Sequence, residues 1–280
     1  MSVLMRQHFI MINGLRLHYI DWPREGAQTM LLVHGFAGHA LSWDVFGEAM
    51  SRHFNVIALD QRGHGDSEWA GEYSTEHSIA DLREFIAALE LDRIVLVGHS
   101  MGARNSIAYL SRHPERVEKF VIVDMGPELN PAGGRRIRDG WQNSPDVFDS
   151  REQAFGQLRA VNQRPPLEHH RTRVYHGLKQ MPDGRWTWKY DKKLRSGEGS
   201  RPSGPVLSVD DYWRMWSAIS CPTLLVRGEL SDLLARAAAE KMAAANPLCS
   251  LVEIPGAGHS VPMDKPTEFE QAVKQWLGVD

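Results

Sequence analysis

The chain has 280 residues, 42% of them apolar, and a formal charge of −3 from 32 Lys and Arg against 35 Asp and Glu. That size and balance suit one large α/β domain, or a domain with an insertion, with enough chain to bury a sizeable core. They exclude a basic nucleic-acid footprint, a bilayer-spanning apolar run of about 18 residues, and a basic-then-apolar leader over Met1 to Met11, so a cytoplasmic chain without nucleic-acid or membrane partners is expected.

The first segments, His8-Phe9-Ile10-Met11-Ile12 and Leu15-Arg16-Leu17-His18-Tyr19-Ile20, flank Asn13-Gly14 and read as a hairpin. Met30-Leu31-Leu32-Val33 has the continuous apolar character of a strand buried on both faces and ends at His34-Gly35-Phe36. A helix is expected over Trp43–Phe54, then a strand over Asn55–Leu59 that runs into Asp60-Gln61-Arg62-Gly63-His64-Gly65-Asp66-Ser67. From Thr75 to Glu90 the spacing of Ile79, Leu82, Phe85, Ile86 and Leu89 predicts a helix with one apolar face.

Next come a strand over Arg93–Val97, the pentapeptide Gly98-His99-Ser100-Met101-Gly102, and a helix over Ala103–Leu110. Strand, G-x-S-x-G and helix together are the context of a nucleophile elbow. A serine lifted above a sheet on a sharp turn has strained backbone angles, and side chains two residues to either side would collide with it; Gly98 and Gly102 remove that collision. The same turn puts the Met101 amide at a helix N-terminus, where partial positive charge favours an oxyanion.

After a strand over Val117–Val123 the regular alternation stops at Met125-Gly126-Pro127. Residues 127–217 carry 16 Lys and Arg against 11 Asp and Glu, a net +5 that leaves −8 for the rest, and five of the nine tryptophans. They read as a helical insertion whose tryptophans either form its own core or line a substrate pocket. Trp186, Trp188 and Trp213 are the candidate pocket residues. The run Ser196–Pro205 is rich in Gly, Ser and Pro and reads as a loop or a lid hinge.

The alternation then resumes with a strand over Thr223–Arg227, Gly228-Glu229-Leu230-Ser231-Asp232, a helix over Leu234–Ala245, a strand over Leu251–Ile254, Gly256-Ala257-Gly258-His259, and a closing helix over Pro266–Leu277. Cys221 and Cys249 each begin an apolar run without metal-ligand spacing and read as free buried thiols. Strands alternating with helices imply a mostly parallel sheet covered on both faces, with functional groups at the strands' carboxyl ends. Ser100, Asp124, Asp232 and His259 all stand at such ends.

With His34-Gly35, Asp60-x-Arg62-Gly63-x-Gly65-x-Ser67, Gly98-x-Ser100-x-Gly102, Gly228-x-x-Ser231-Asp232 and Gly258-His259 in this order, the chain resembles an α/β-hydrolase. The resemblance implies an eight-stranded sheet over residues 1–126 and 218–280, with a cap over 127–217 after the sixth strand. It implies a triad of Ser100 as nucleophile, His259 as base and Asp232 as acid, Asp124 being the alternative acid. It implies an oxyanion hole from the Phe36 and Met101 amides. His34 reads as a brace, Asp60 and Arg62 as a structural ion pair, and His99 as projecting away from the nucleophile.

A serine needs a base to hold its proton and return it, and here it implies acyl-enzyme chemistry with no metal and no organic cofactor. Hydrolysis of a small-molecule carboxylic ester is the first expectation. C–C bond or enol-lactone hydrolysis, and a ligand receptor with little turnover, are the alternatives; His99, where C–C hydrolases often carry asparagine, counts against the C–C option. The sequence leaves a homodimer open.

Overall fold

In the computed structural model of the chain, residues 4–196 and 207–280 are described. The strands are β1 (Arg6–Ile12), β2 (Leu15–Trp22), β3 (Thr29–Val33), β4 (Asn55–Leu59), β5 (Ile94–His99) and β6 (Val117–Val123), with helices α1 (Asp44–Met50), α2 (Thr75–Ala88) and α3 (Met101–Leu110) between them. There follow α4 (Pro131–Gln142), β7 (Val147–Phe148), α5 (Arg151–Val161), α6 (Leu167–His176), β8 (Leu178–Gln180), β9 (Trp186–Trp188), α7 (Lys193–Ser196) and α8 (Val209–Ser217). Strand β10 (Thr223–Gly228), α9 (Arg236–Ala245), β11 (Cys249–Ile254), α10 (Val261–Asp264) and α11 (Pro266–Leu277) complete the chain.

Eight strands form one sheet in the order β1-β2-β4-β3-β5-β6-β10-β11, antiparallel at β1-β2 and β2-β4 and parallel elsewhere. The Asn13-Gly14 turn has φ of 51° and 78°, the left-handed pair that a two-residue hairpin demands. In β5 the two-residue period divides the core: Ile94 and Leu96 pack with α2, α3 and α9, whereas Val95 and Val97 face α1 and α11. The helix expected over Trp43–Phe54 is a 3₁₀ turn at Ala40–Trp43 followed by the shorter α1.

The elements between β6 and β10 are not wholly helical. Strands β7, β9 and β8 form a small antiparallel sheet, and Phe148, Ala154, Val174, Leu178, Trp188 and Tyr190 close a separate core around it. Helix α8, expected to belong to the cap, instead joins the main core: Tyr212 and Trp216 are buried among the residues of α3 and α9, and the Trp216 indole donates to the Met242 carbonyl at 2.9 Å. The physical reason is its amphipathic face, whose bulky aromatics find room against α3. The run Ser196–Pro205, read as a possible hinge, lies outside the described residues apart from Ser196 itself.

No described helix is long and apolar enough to cross a membrane. Trp216→Ala should destabilise the whole chain by about 3–5 kcal/mol, since it empties a fully buried aromatic site and strands a carbonyl. A urea melt checks this; a change below 1 kcal/mol on that scale would show that α8 is peripheral.

Candidate active site

The elbow is as tight as its glycines suggest. Ser100, between β5 and α3, has φ 53° and ψ −119°, a strained left-handed conformation for a residue with a Cβ. A Cβ on Gly98 would lie 2.7 Å from the Ala103 Cα, and one on Gly102 would lie 2.4 Å from the Val33 carbonyl oxygen. The turn thus fits only where the helix backbone can press against both its own strand and the end of β3.

Ser100 Oγ lies 2.9 Å from His259 Nε2, and His259 Nδ1 lies 2.8 Å from Asp124 Oδ2. Here the expectation of Asp232 as the acid is corrected. Asp124, at the end of β6, is fully buried, and its carboxylate accepts from the Gly228 amide at 3.0 Å and the Ser231 hydroxyl at 2.5 Å besides the imidazole. Three donors offset the cost of burying its charge. Its φ of 49° swings the side chain across β10 toward the histidine. Asp232, by contrast, turns outward and pairs with Arg136 of α4, with Nη2 to Oδ1 at 2.9 Å; that guanidinium, more than any other group, holds its carboxyl below the usual range. Ser231, not Asp232, is the residue of this loop that reaches the buried site.

Phe36 follows β3 in a loop on the cavity wall. Met101 opens α3, so its amide has no carbonyl within the helix to bond. The loop is braced from behind. His34 Nδ1 donates to the Gly35 carbonyl at 2.7 Å, its Nε2 accepts from the Gln61 amide at 3.0 Å, and the Gln61 side chain donates to the His34 carbonyl at 2.6 Å while accepting from Asn105 at 2.8 Å. Gln61 and Asn105 were not singled out by sequence, and a polar pair 44 positions apart leaves no local signal.

Asp60 and Arg62 do not pair with one another. Asp60 bonds His18 Nδ1 at 2.7 Å, and Arg62 makes a two-point contact with Asp81 at 2.6 and 2.7 Å. His18, Asp60 and Asp66 are the described group close enough to share a cation, but the His18 ring and the Ala40 and Asp66 amides already donate to the Asp60 oxygens. His99 does not project away: its ring packs on His259 with centroids 5.0 Å apart, and its Nε2 meets the His259 carbonyl at 3.0 Å. Its position at the strand's last residue was readable, but the contact depends on the β11 loop.

A cavity of about 660 Å³ opens above Ser100, walled by the β3 loop, His99, His259, α4, α5, α6 and the residues of α10. Trp141 of α4 lines it and meets Phe36 edge-on at 5.6 Å. The expected tryptophans are elsewhere. Trp186 lies under Arg151 at 4.3 Å, Trp188 packs in the small core with Phe148 and Tyr190, and Trp213 donates to Glu128 at 2.7 Å with Lys241 over its ring. Being amphipathic, each found packing or a polar partner near its own strand or helix.

Four imidazoles around the site are held neutral. Burial above all lowers His34 and His99 to about 3 and His39 and His64 to about 4. Each binds a proton near its ordinary value when unfolded and only at those lower values when folded. Their contribution to stability is therefore whole above about pH 6.5 and is lost as pH falls toward 3. The urea midpoint should fall between pH 6.5 and 4, and heteronuclear NMR at pH 5 should show these four rings still neutral; charged rings in the native state at pH 5 would contradict the burial argument.

Residues 28–266 match the family model described as alpha/beta hydrolase fold. The 3-hydroxybutyrate-oligomer hydrolase of Cupriavidus necator is 28% identical over 94% of this chain and 93% of its own length. The 2-(acetamidomethylene)succinate hydrolase of Mesorhizobium japonicum is 26% identical over 89% and 87%. The crystal structure of E-2-(acetamidomethylene)succinate hydrolase superposes with a TM-score of 0.88 at 24% identity, covering 99% of this chain and all of that one, a likeness of fold. With a family match over most of its length and an eight-stranded sheet carrying the elbow at the end of β5, this chain belongs to the alpha/beta hydrolase family.

Proposed function

We propose that the chain is a serine hydrolase that cleaves a small-molecule carboxylic ester through Ser100, His259 and Asp124. The observation that carries this reading is the unbroken chain of contacts from Ser100 Oγ through the imidazole to a buried carboxylate, at 2.9 and 2.8 Å, opening on a cavity. The family supplies hydrolysis; the ester and the residue roles are our assignment.

In this mechanism His259 Nε2 takes the hydroxyl proton as Ser100 Oγ attacks the ester carbonyl carbon. The carbonyl electron pair moves onto oxygen, where the Phe36 and Met101 amides stabilise it. Collapse breaks the bond to the alcohol oxygen, and His259 returns its proton to that leaving group. Water then attacks the acyl carbon as His259 takes its proton; collapse breaks the bond to Ser100 Oγ, the acid leaves, and His259 returns the proton to Oγ. Asp124 keeps the Nδ1 proton in place, so that Nε2 faces the serine, and balances the imidazolium. The described elements α4 to α6 would act as the cap that closes the cavity over the acyl group.

A series of short-to-medium p-nitrophenyl esters tests the assignment. Ser100→Ala should abolish turnover, and Asp124→Asn should lower kcat by about 10³- to 10⁴-fold with the fold intact by circular dichroism. Asp232→Asn should remain within about threefold of the parent, as expected of a group outside the triad. A parent that cleaves no ester in the series, or an Asp232 variant that loses activity in place of Asp124, would overturn this reading.

A further inference from the structure

Arginine is rarely buried without an anion, because removing a cation from water costs several kcal/mol unless hydrogen bonds or a counter-charge repay it. Arg173, on α6, is half-buried on the cavity wall. Its guanidinium makes no hydrogen bond or ion pair among the described residues, and its Nε is shut off from solvent without an acceptor. Burial pushes it down to about 10, against the opposing pull of Asp264, so it remains a cation at neutral pH. It lines the same cavity as Ser100, and its charge reaches His99, the residue beside the nucleophile.

One turn earlier on α6, His170 faces the same cavity. It is 3% exposed, and its Nδ1 also lacks a partner. Burial, aided by the Arg173 charge, lowers it to about 4, leaving a neutral ring with one N–H to donate. Of the other charged groups on the cavity wall, Arg136 and Asp264 are engaged, and Arg164 is exposed to solvent. Arg136 is taken by Asp232, Arg164 reaches Asn162, and Asp264 accepts from Asn162 and the Gly258 amide, each at 2.8 Å. No ion pair joins Asp264 to Arg173 among the described residues, and burial raises the Asp264 carboxyl, which weakens it as a counter-ion.

Resting on the ester-hydrolase reading, we propose that Arg173, with His170 beside it, receives a free carboxylate of the substrate, so that the ester cleaved at Ser100 is the half-ester of a dicarboxylic acid. A planar guanidinium matches a carboxylate in two parallel hydrogen bonds. The cation and the neutral imidazole together offer one positive charge and a further N–H, which suits the single negative charge of a carboxylate. The anion would complete the hydrogen bonding of α6 and fix the distance between the recognised charge and the scissile carbonyl.

The test compares ethyl hydrogen glutarate with ethyl pentanoate, a neutral ester of the same acyl length, in a pH-stat. The parent should favour the half-ester in kcat/KM, and in Arg173→Met that preference, taken as a ratio, should fall roughly 10- to 100-fold, the range of one or two charge-assisted hydrogen bonds. A parent without preference, or an equal loss on both esters in the variant, overturns the proposal. Calorimetry with glutarate on Ser100→Ala and Ser100→Ala/Arg173→Met proteins separates this inference from the ester reading. Binding that needs Arg173 in a protein whose parent cleaves no ester would sink the ester reading and leave the anion site standing. Absence of glutarate binding alongside ester hydrolysis without preference would do the reverse.

Discussion

The Asp124 carboxylate is the contact on which the geometry of the site depends. It leaves the end of β6 in a left-handed backbone conformation, crosses β10, and collects the Gly228 amide, the Ser231 hydroxyl and the His259 imidazole. Each donor comes from a different position in the chain, so the carboxylate ties β6, β10 and the loop after β11 at one point. Loss of any donor would leave a buried charge short of a partner, which is costlier than the bond itself. The histidine is thereby set at a fixed height over the elbow.

The Ser100 side of the site is fixed by steric constraint. Gly98 and Gly102 let α3 press against β5 and the end of β3, and a Cβ on Gly35 would lie 3.0 Å from the Ser100 Cβ, so the Phe36 loop also lies hard against the serine. Behind it, His34, Gln61 and Asn105 join the ends of β3, β4 and α3 through buried hydrogen bonds. The strained serine is held by packing on one side and by a polar network on the other.

Between β6 and β10 the chain does different work. Its aromatics mostly pack with one another or with cations, and the groups it turns toward the cavity include Trp141, His170 and Arg173 along with Arg136, Arg164 and polar, small and aliphatic residues. The proposed charge recognition and the proposed chemistry thus fall to separate layers. The sheet layer holds Ser100, Asp124 and His259, and α4 to α6 wall the cavity above them.

The fold was legible in the sequence because its signals are local. Four-residue apolar runs, Asn13-Gly14 and the strand-elbow-helix order each act over a few residues, and the two-residue and 3.6-residue periods sort buried from exposed faces without knowledge of the partner. Ser100 and His259 could be placed for the same reason, each being marked by adjacent glycines. The acid could not. Asp124 and Asp232 both end strands, and only the φ of Asp124, the hydroxyl of Ser231 and the competing Arg136 decide which one meets the imidazole. The tryptophans and Arg173 follow the same rule: composition shows that residues 127–217 are rich in aromatic and positive residues, but whether a side chain faces the cavity or its own small core depends on contacts between segments far apart in sequence. Only the tertiary structure supplies those contacts.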